Sequence, residues 1–330
     1  MSKLGVIPLK QLWEGRMAAR QGKQPSNPLD WHLEYLTIHT LGLGLEQTLQ
    51  YLMQQAPSFE EFEDWIVQTT GGPEPAGVAR INARAQHQPY SEEFQAFLAE
   101  IEAYPDVLTP EDLDFWHQNG YVILHDAVAV ADRLEAEQAV WAAVQASPDD
   151  PDSWYKPNRQ GIMVQTFQHP AFERNRRSRR IYKAFAQVWG TADLWMSTDR
   201  CGFNPPERPG FPFQGPDLHW DCSIKQPVPL ATQGILYLSD TMAEQGAFTL
   251  VPGFHHKCED WLKSLPAGTD PRQQDLHALG SQPIPGRAGD LIIWHQALPH
   301  GSRPNRAERP RIVQYINMSP SYQEYAAEWI

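Results

Sequence analysis

From Leu194 onward the chain breaks into short β-prone runs, at 194–197, 218–223, 234–238, 248–251, 290–295 and 312–318, separated by proline and glycine. Runs this short, bounded by turn formers, cannot supply the long alternation of strands and helices that a parallel sheet requires. They suit antiparallel pairing in a sandwich or open barrel. The 29 prolines also disfavour a helical bundle, because each removes a backbone donor and stiffens its neighbour.

The first hundred residues read differently. Leu9 to Gln21 is a weak helix candidate, and Pro28-Leu29-Asp30 opens a stronger one through Leu33, Leu36, Ile38 and Leu41. The helical period resumes at Leu45, Leu49 and Leu52. Ser58 and Glu61 form a capping box for a helix that ends at Gly71-Gly72-Pro73, with Phe59, Phe62, Trp65 and Ile66 on one face. Ser91 to Ile101 is a further helix. A new unit begins near Pro105, where Thr109-Pro110-Glu111-Asp112 has the N-cap residue, proline and early acids of a helix start. The strand Tyr121 to Leu124 and a helix from Ala129 to Ala146 follow. Thus 1–104 is expected to be a helical extension or cap, and 105–330 a mainly β domain with flanking helices.

Composition narrows the function classes. A formal charge of −13 argues against nucleic acid as a partner. Cysteines stand only at 201, 222 and 258, an odd count with no disulfide or zinc-site spacing, which fits a reducing cytoplasm. The N-terminus lacks the apolar run of a signal peptide, and no stretch approaches the length of a membrane span.

The chemistry concentrates in Leu218-His219-Trp220-Asp221. On a strand, His219 and Asp221 would point the same way, and His300 in Pro299-His300-Gly301-Ser302 could supply a third ligand. Two histidines and one carboxylate suit iron(II) and leave positions open for a co-substrate and dioxygen. A dicarboxylate co-substrate would need a buried arginine for its far end. Arg311, entering the last long β run, is the leading candidate and Arg309 its nearest competitor.

Four segments resemble the phytanoyl-CoA dioxygenase family of iron(II)- and 2-oxoglutarate-dependent oxygenases: LTPEDLDFWHQNGYVIL at 108–124, LHWD at 218–221, GAFTLVPGFH at 246–255, and GDLIIWHQALPHGSRPNRAERPR at 289–311. The resemblance covers about 105–318. It implies a double-stranded β-helix, the jelly-roll or cupin-like barrel, with His219, Asp221 and His300 as metal ligands. It places Arg311 and Ser302 at the 2-oxoglutarate carboxylate, and Tyr237 near an aromatic position lining that pocket. His300 rather than His295 takes the ligand position. The retained Asp221 points to hydroxylation rather than halogenation, since halogenating relatives carry a small residue there.

The expected activity is hydroxylation of an unactivated C–H of a small organic or lipid-like molecule, using iron(II), 2-oxoglutarate and O2 and releasing succinate and CO2. Alternatives are a natural-product tailoring oxidation at the same site, a non-catalytic cupin-like binding protein, and a protein-directed oxygenase. A homodimer through the N-terminal extension is a further expectation. His295 reads as structural. His255 reads as a turn histidine with a rim role as its alternative, and Cys222 as a small buried hydrophobe. The run 174–180 holds five arginines, and a structural role stands beside recognition of an anionic substrate handle. Arg159 and Arg200 are isolated candidates for substrate or co-substrate contacts.

Overall fold

Helix-forming stretches with good caps dominate the start of the chain: α1 (Leu9–Arg20), α2 (Trp31–Thr40), α3 (Leu45–Gln55), α4 (Phe59–Thr70), α5 (Pro75–Ala85) and α6 (Glu92–Ala103). The computed structural model describes residues 2–25, 27–155, 161–326 and 328–330; Arg159 lies outside the described residues. Asp30 accepts from the backbone N–H groups of His32 and Leu33 at the start of α2. Ser58 and Glu61 close the expected capping box on α4, which Gly71 ends at φ 81°. The sequence pattern places no helix at α5, because Gly71-Gly72-Pro73 reads as a loop. Pro75 nevertheless stands at its first turn, where the missing N–H has no intrahelical partner to lose.

These helices bury Leu12, Leu36, Leu52, Phe62, Ile66 and Ile81 together, and Trp65 stacks on Tyr51 at 4.1 Å. The helical unit is not confined to the first 104 residues: segments 191–199 and 319–323 belong to it as well. The first of these adds Trp195 to the core. Arg80 lies over the Trp195 ring at 3.6 Å and pairs with Asp193 at 2.7 Å.

The second unit comprises 105–190, 200–318 and 324–330. Its helices are α7 (Pro110–Asn119), α8 (Val130–Ala143), α9 (Pro170–Arg176), α10 (Arg179–Trp189) and α11 (Cys258–Ser264). The strands of the chain are β1 (Tyr121–Leu124), β2 (Met163–Val164), β3 (Leu194–Met196), β4 (Cys201–Asn204), β5 (Thr232–Tyr237), β6 (Thr249–Leu250), β7 (Gln282–Pro283), β8 (Leu291–His295), β9 (His300–Gly301), β10 (Arg311–Tyr315) and β11 (Met318–Pro320). β3 pairs with β11; the others form an antiparallel six-stranded sheet ordered β1-β8-β5-β10-β4-β2 and a three-stranded sheet ordered β7-β6-β9. This is a double-stranded β-helix with flanking helices.

Register determines what the barrel interior contains. Tyr121, Trp294 and Gln233 share one row, Ile123, Ile292, Ile235 and Tyr315 the next, and Tyr237, Val313 and Gly202 a third. Alternation puts all of them on one face. There the apolar members pack against Phe248 and Leu250 of the smaller sheet. The opposite face lies under α8 to α10, with Trp141 edge-on to Phe203 at 5.1 Å and Gln314 bonded to Asn175 and the Phe172 carbonyl.

Two departures from the sequence reading have local causes. β4 (Cys-Gly-Phe-Asn) is absent from it, because an interior glycine weakens a strand signal. Gly202 is needed there, since a Cβ would stand 2.7 Å from Val313 Cγ2. Conversely, 218–223 is not a strand. His219 makes one antiparallel bridge to His300, after which the backbone bends and the carbonyls of Trp220 and Cys222 turn to the Arg272 guanidinium, at 2.9 and 2.6 Å.

Candidate active site

The side chains of His219, Asp221 and His300 meet at the inner end of that bridge. Their ligand atoms all lie within 4.8 Å of one another, forming the one such cluster of three or more metal-binding side chains among the described residues. The bridge depends on close backbone approach: a Cβ at Gly301 would meet the Asp217 carbonyl oxygen at 2.6 Å. His219 and His300 exchange backbone hydrogen bonds of 2.9 and 3.0 Å, which holds their rings 4.9 Å apart.

Both imidazoles are oriented in the same manner. His219 Nδ1 donates to the Asp217 carbonyl at 2.7 Å and His300 Nδ1 to the Leu298 carbonyl at 3.0 Å. With Nδ1 carrying a proton, Nε2 faces the cluster, the arrangement that metal-binding histidines use. Asp221 lies between the rings, Oδ1 3.3 Å from His219 Nε2 and Oδ2 3.3 Å from His300 Nε2.

Burial by itself would raise the Asp221 carboxyl pKa, but hydrogen bonds from His219 and His300 outweigh it and hold the group well below the usual carboxylate range. Burial likewise opposes charge on His219, yet its bonds to Asp221 and the Asp217 carbonyl raise its pKa above the ordinary imidazole value. The Asp221 side chain is 53% exposed, His219 36% and His300 5%, so water screens the pair on one side.

Arg311 begins β10, opposite Asn204 of β4. It is fully buried, donating from Nη1 to the Gly246 carbonyl at 2.8 Å and from Nη2 to Ser302 Oγ at 3.0 Å, while Nε has no partner among the described residues. Both acceptors are neutral. A desolvated guanidinium costs several kcal/mol unless an anion answers it, so the site suits a carboxylate. Arg309, its competitor in the sequence, reaches the Pro148 carbonyl instead.

Tyr237 is also fully buried. Its hydroxyl donates to the Ile284 carbonyl at 2.7 Å and accepts from the Phe248 N–H at 3.0 Å. Burial raises its pKa and Arg311 acts to lower it. The hydroxyl therefore serves the backbone, while the ring packs in the apolar core. Two imidazoles, one carboxylate and an unanswered buried cation are what iron(II) and a dicarboxylate require.

Other candidates resolve elsewhere. His295 is outside the cluster; its Nδ1 accepts from the Ala297 N–H at 3.0 Å, its ring stacks on His255, and burial, then His255 and His256, push its pKa down to about 4. His255 and His256 both donate to the carbonyl of His117, in the last turn of α7. The Cys222 thiol is half-buried, and burial pushes its pKa up to about 12. The arginine run ties the unit together: Arg174 pairs with Asp132 and Glu135, Arg176 with Glu173, and Arg180 donates to the carbonyls of His125 and Asp126. Arg200 lies near Asp221 and Tyr315, and burial lowers its pKa.

The sequence reading passes over Gln233 and Arg272. Gln233 donates to Asp221 Oδ2 at 2.7 Å. Its signal, a polar side chain in register with Ile235 and Tyr237, is visible only once the strand is extended back to Thr232.

A profile of the phytanoyl-CoA dioxygenase family matches residues 89–313. The chain belongs to the phytanoyl-CoA dioxygenase family. It is a 2-oxoglutarate-dependent oxidoreductase that uses iron(II), 2-oxoglutarate and O2. The match begins at residue 89, earlier than the start near 105 expected from the four segments. A Dictyostelium discoideum protein assigned to the phytanoyl-CoA dioxygenases is 21% identical over 260 residues, covering 63% of this chain and 74% of that protein.

Among solved structures, the non-heme alpha-ketoglutarate-dependent epimerase SnoN from nogalamycin biosynthesis is 16% identical with a TM-score of 0.47, covering 69% of this chain and 85% of its own. HygX from Streptomyces hygroscopicus, with nickel and 2-oxoglutarate bound, is 17% identical with a TM-score of 0.47, covering 66% and 89%. No helix among the described residues is long and apolar enough to cross a membrane.

Proposed function

We propose that His219, Asp221 and His300 hold the iron(II) of this phytanoyl-CoA dioxygenase family member, and that Arg311 with Ser302 binds the 2-oxoglutarate carboxylate remote from the metal. The observation that carries this reading is the convergence of the three ligand side chains within 4.8 Å, with both Nδ1 atoms engaged by carbonyls. Iron(II) held there supplies the coupling between decarboxylation of 2-oxoglutarate and oxidation of a substrate by dioxygen.

The chain's own residues bind and orient. Asp221 contributes one negative charge, leaving the iron site net positive toward an anionic keto acid. Arg311 supplies the charge-assisted half of the far contact, and Ser302 fixes its Nη2. Phe248 and Trp294, 4.3 Å apart and both beside the His300 ring, keep that side apolar, which limits water around the reacting groups. Tyr237 contributes a wall of the same pocket.

The reaction is hydroxylation of an unactivated C–H in a small organic or lipid-like molecule. One oxygen atom of O2 enters succinate and the other the substrate, with release of CO2. The acid at position 221 occupies the place a halide would need, which favours hydroxylation over halogenation. We assign the site to the domain formed mainly by 105–330 and a cap or dimer-forming role to the helical extension at 1–104. Three free thiols suit a cytoplasmic setting.

The deciding experiment adds 2-oxoglutarate to the iron(II) protein without oxygen. The expected result is a weak visible charge-transfer band that Arg311→Met diminishes. Iron binding with no such band would overturn the co-substrate assignment. Succinate release across a panel of free small molecules, acyl thioesters and peptides then defines the substrate class; release with peptides alone would overturn the small-molecule reading.

A further inference from the structure

We propose that Gln233 is a positioning residue that holds Asp221 to one-oxygen coordination of the metal. The proposal rests on the iron-site reading above. Of the three ligands, Asp221 has the least backbone support. His300 lies on β9 and His219 in a bridge to it, whereas Asp221 sits at a bend with its side chain 53% exposed. A carboxylate free to rotate can offer a metal one oxygen or two, and two would occupy a position needed by co-substrate or dioxygen.

Gln233 restricts that choice. Its Nε2 donates to Asp221 Oδ2 at 2.7 Å. A carboxylate bound to a metal accepts and does not donate, so the amide nitrogen must face it, which settles the orientation of the side-chain amide. With Oδ2 held by this charge-assisted bond, Oδ1 is left for the metal. Gln233 projects from β5 on the interior face, in register with Trp294, so a paired strand sets its direction. A regular strand thereby disciplines a ligand on irregular backbone.

A second glutamine of the same sheet provides the contrast. Gln314 is fully buried, and both ends of its amide serve the fold: Oε1 accepts from Asn175 and Nε2 donates to the Phe172 carbonyl. Gln233 uses Nε2 on Asp221, and its buried Oε1 has no partner among the described residues. An amide placed only for packing would not be left half-satisfied. Its one protein hydrogen bond goes to a proposed metal ligand.

The test titrates cobalt(II) into the full-length protein by calorimetry and visible spectroscopy, using the parent, Gln233→Met, Gln314→Met and His219→Ala. Hydrogen-bond partners of metal ligands typically change metal affinity about 10-fold or more. Gln233→Met should weaken cobalt binding by about that factor and alter the bound ion's spectrum, with the metal-free melting temperature close to the parent's. Gln314→Met should do the reverse, lowering the melting temperature and leaving the cobalt spectrum unchanged.

Parent-like cobalt affinity and spectrum in Gln233→Met would overturn the proposal, as would a loss of affinity no larger than that of Gln314→Met. If Gln233→Met does not fold, Gln233→Asn keeps the amide but is one carbon too short to reach Asp221, and the same spectral change is expected from it. A parent that binds no cobalt would sink the iron-site reading itself. A parent that binds, with His219→Ala abolishing binding and both Gln233 variants unaffected, would sink only the role of Gln233.

Discussion

Among the described residues, two arginines of the second unit are fully buried, and their surroundings differ. Arg176 on α9 pairs with Glu173 at 2.5 Å and donates to the Phe167 carbonyl at 2.9 Å. Arg311 on β10 meets only a carbonyl and a serine hydroxyl, and no ion pair answers it among the described residues. The same cation at the same burial is thus neutralised in one place and left unanswered in the other. The first arrangement stabilises a fold, whereas the second suits the carboxylate proposed for it. The arginines of the 174–180 run thus find partners within the fold, while the isolated Arg311 is the one proposed to bind a ligand.

The largest expected effect tests the unanswered cation. Arg311→Met should lower kcat/KM for 2-oxoglutarate by about 100-fold or more, on the order of 3 kcal/mol of lost charge-assisted binding. Thermal stability without co-substrate should be unchanged or higher, because a desolvated charge is removed. A marked fall in melting temperature would place Arg311 with Arg176 as a structural residue. For Arg176→Met the roles invert. Glu173 is one-third exposed and can regain water, so the expected cost is at the low end for a broken buried pair, about 3 kcal/mol in urea unfolding. The kinetics of the folded fraction should match the parent; a selective rise in KM for 2-oxoglutarate would break the contrast.

Acidity sharpens the distinction between the two ends of the site. Arginine stays charged throughout the usual range, whereas His219 has a raised pKa. A proton on His219 Nε2 competes with metal, so metal affinity should fall with decreasing pH from above the ordinary imidazole pKa, about 6.5. Calorimetric titration at stepped pH measures this, and affinity that stays flat down to pH 6 would contradict it. The smallest expected effect is at Ser302. Ser302→Ala removes one neutral acceptor from Arg311, and KM for 2-oxoglutarate should rise about 5-fold, corresponding to about 1 kcal/mol for one hydrogen bond. An effect as large as that of Arg311→Met would mean that Ser302 itself carries the co-substrate.

The legible parts of this molecule were those whose physics is local. The capping boxes at Ser58 and Thr109 are present, because a cap joins groups three residues apart. The β-prone runs at 234–238 and 290–295 lie largely within β5 and β8. The expected strand at 218–223 failed because the Arg272 guanidinium, fifty residues away in sequence, takes the carbonyls a ladder would have used. β4 escaped notice because the tolerance for Gly202 comes from Val313 on the next strand. Gln233 was hidden for the same reason: its partner, Asp221, is brought to it by the barrel.

Residue chemistry and spacing alone determined which side chains could form an iron and keto-acid site, because imidazole, carboxylate and guanidinium have intrinsic ligand preferences. They also determined an antiparallel β architecture, because short runs between prolines have few other ways to pair their backbone groups. Tertiary structure decided which nitrogen of each histidine faces the cluster, since the Asp217 and Leu298 carbonyls select it. It also decided which arginine remains without an anion. Both outcomes depend on distances between groups far apart in the chain, and a linear sequence carries no record of those distances.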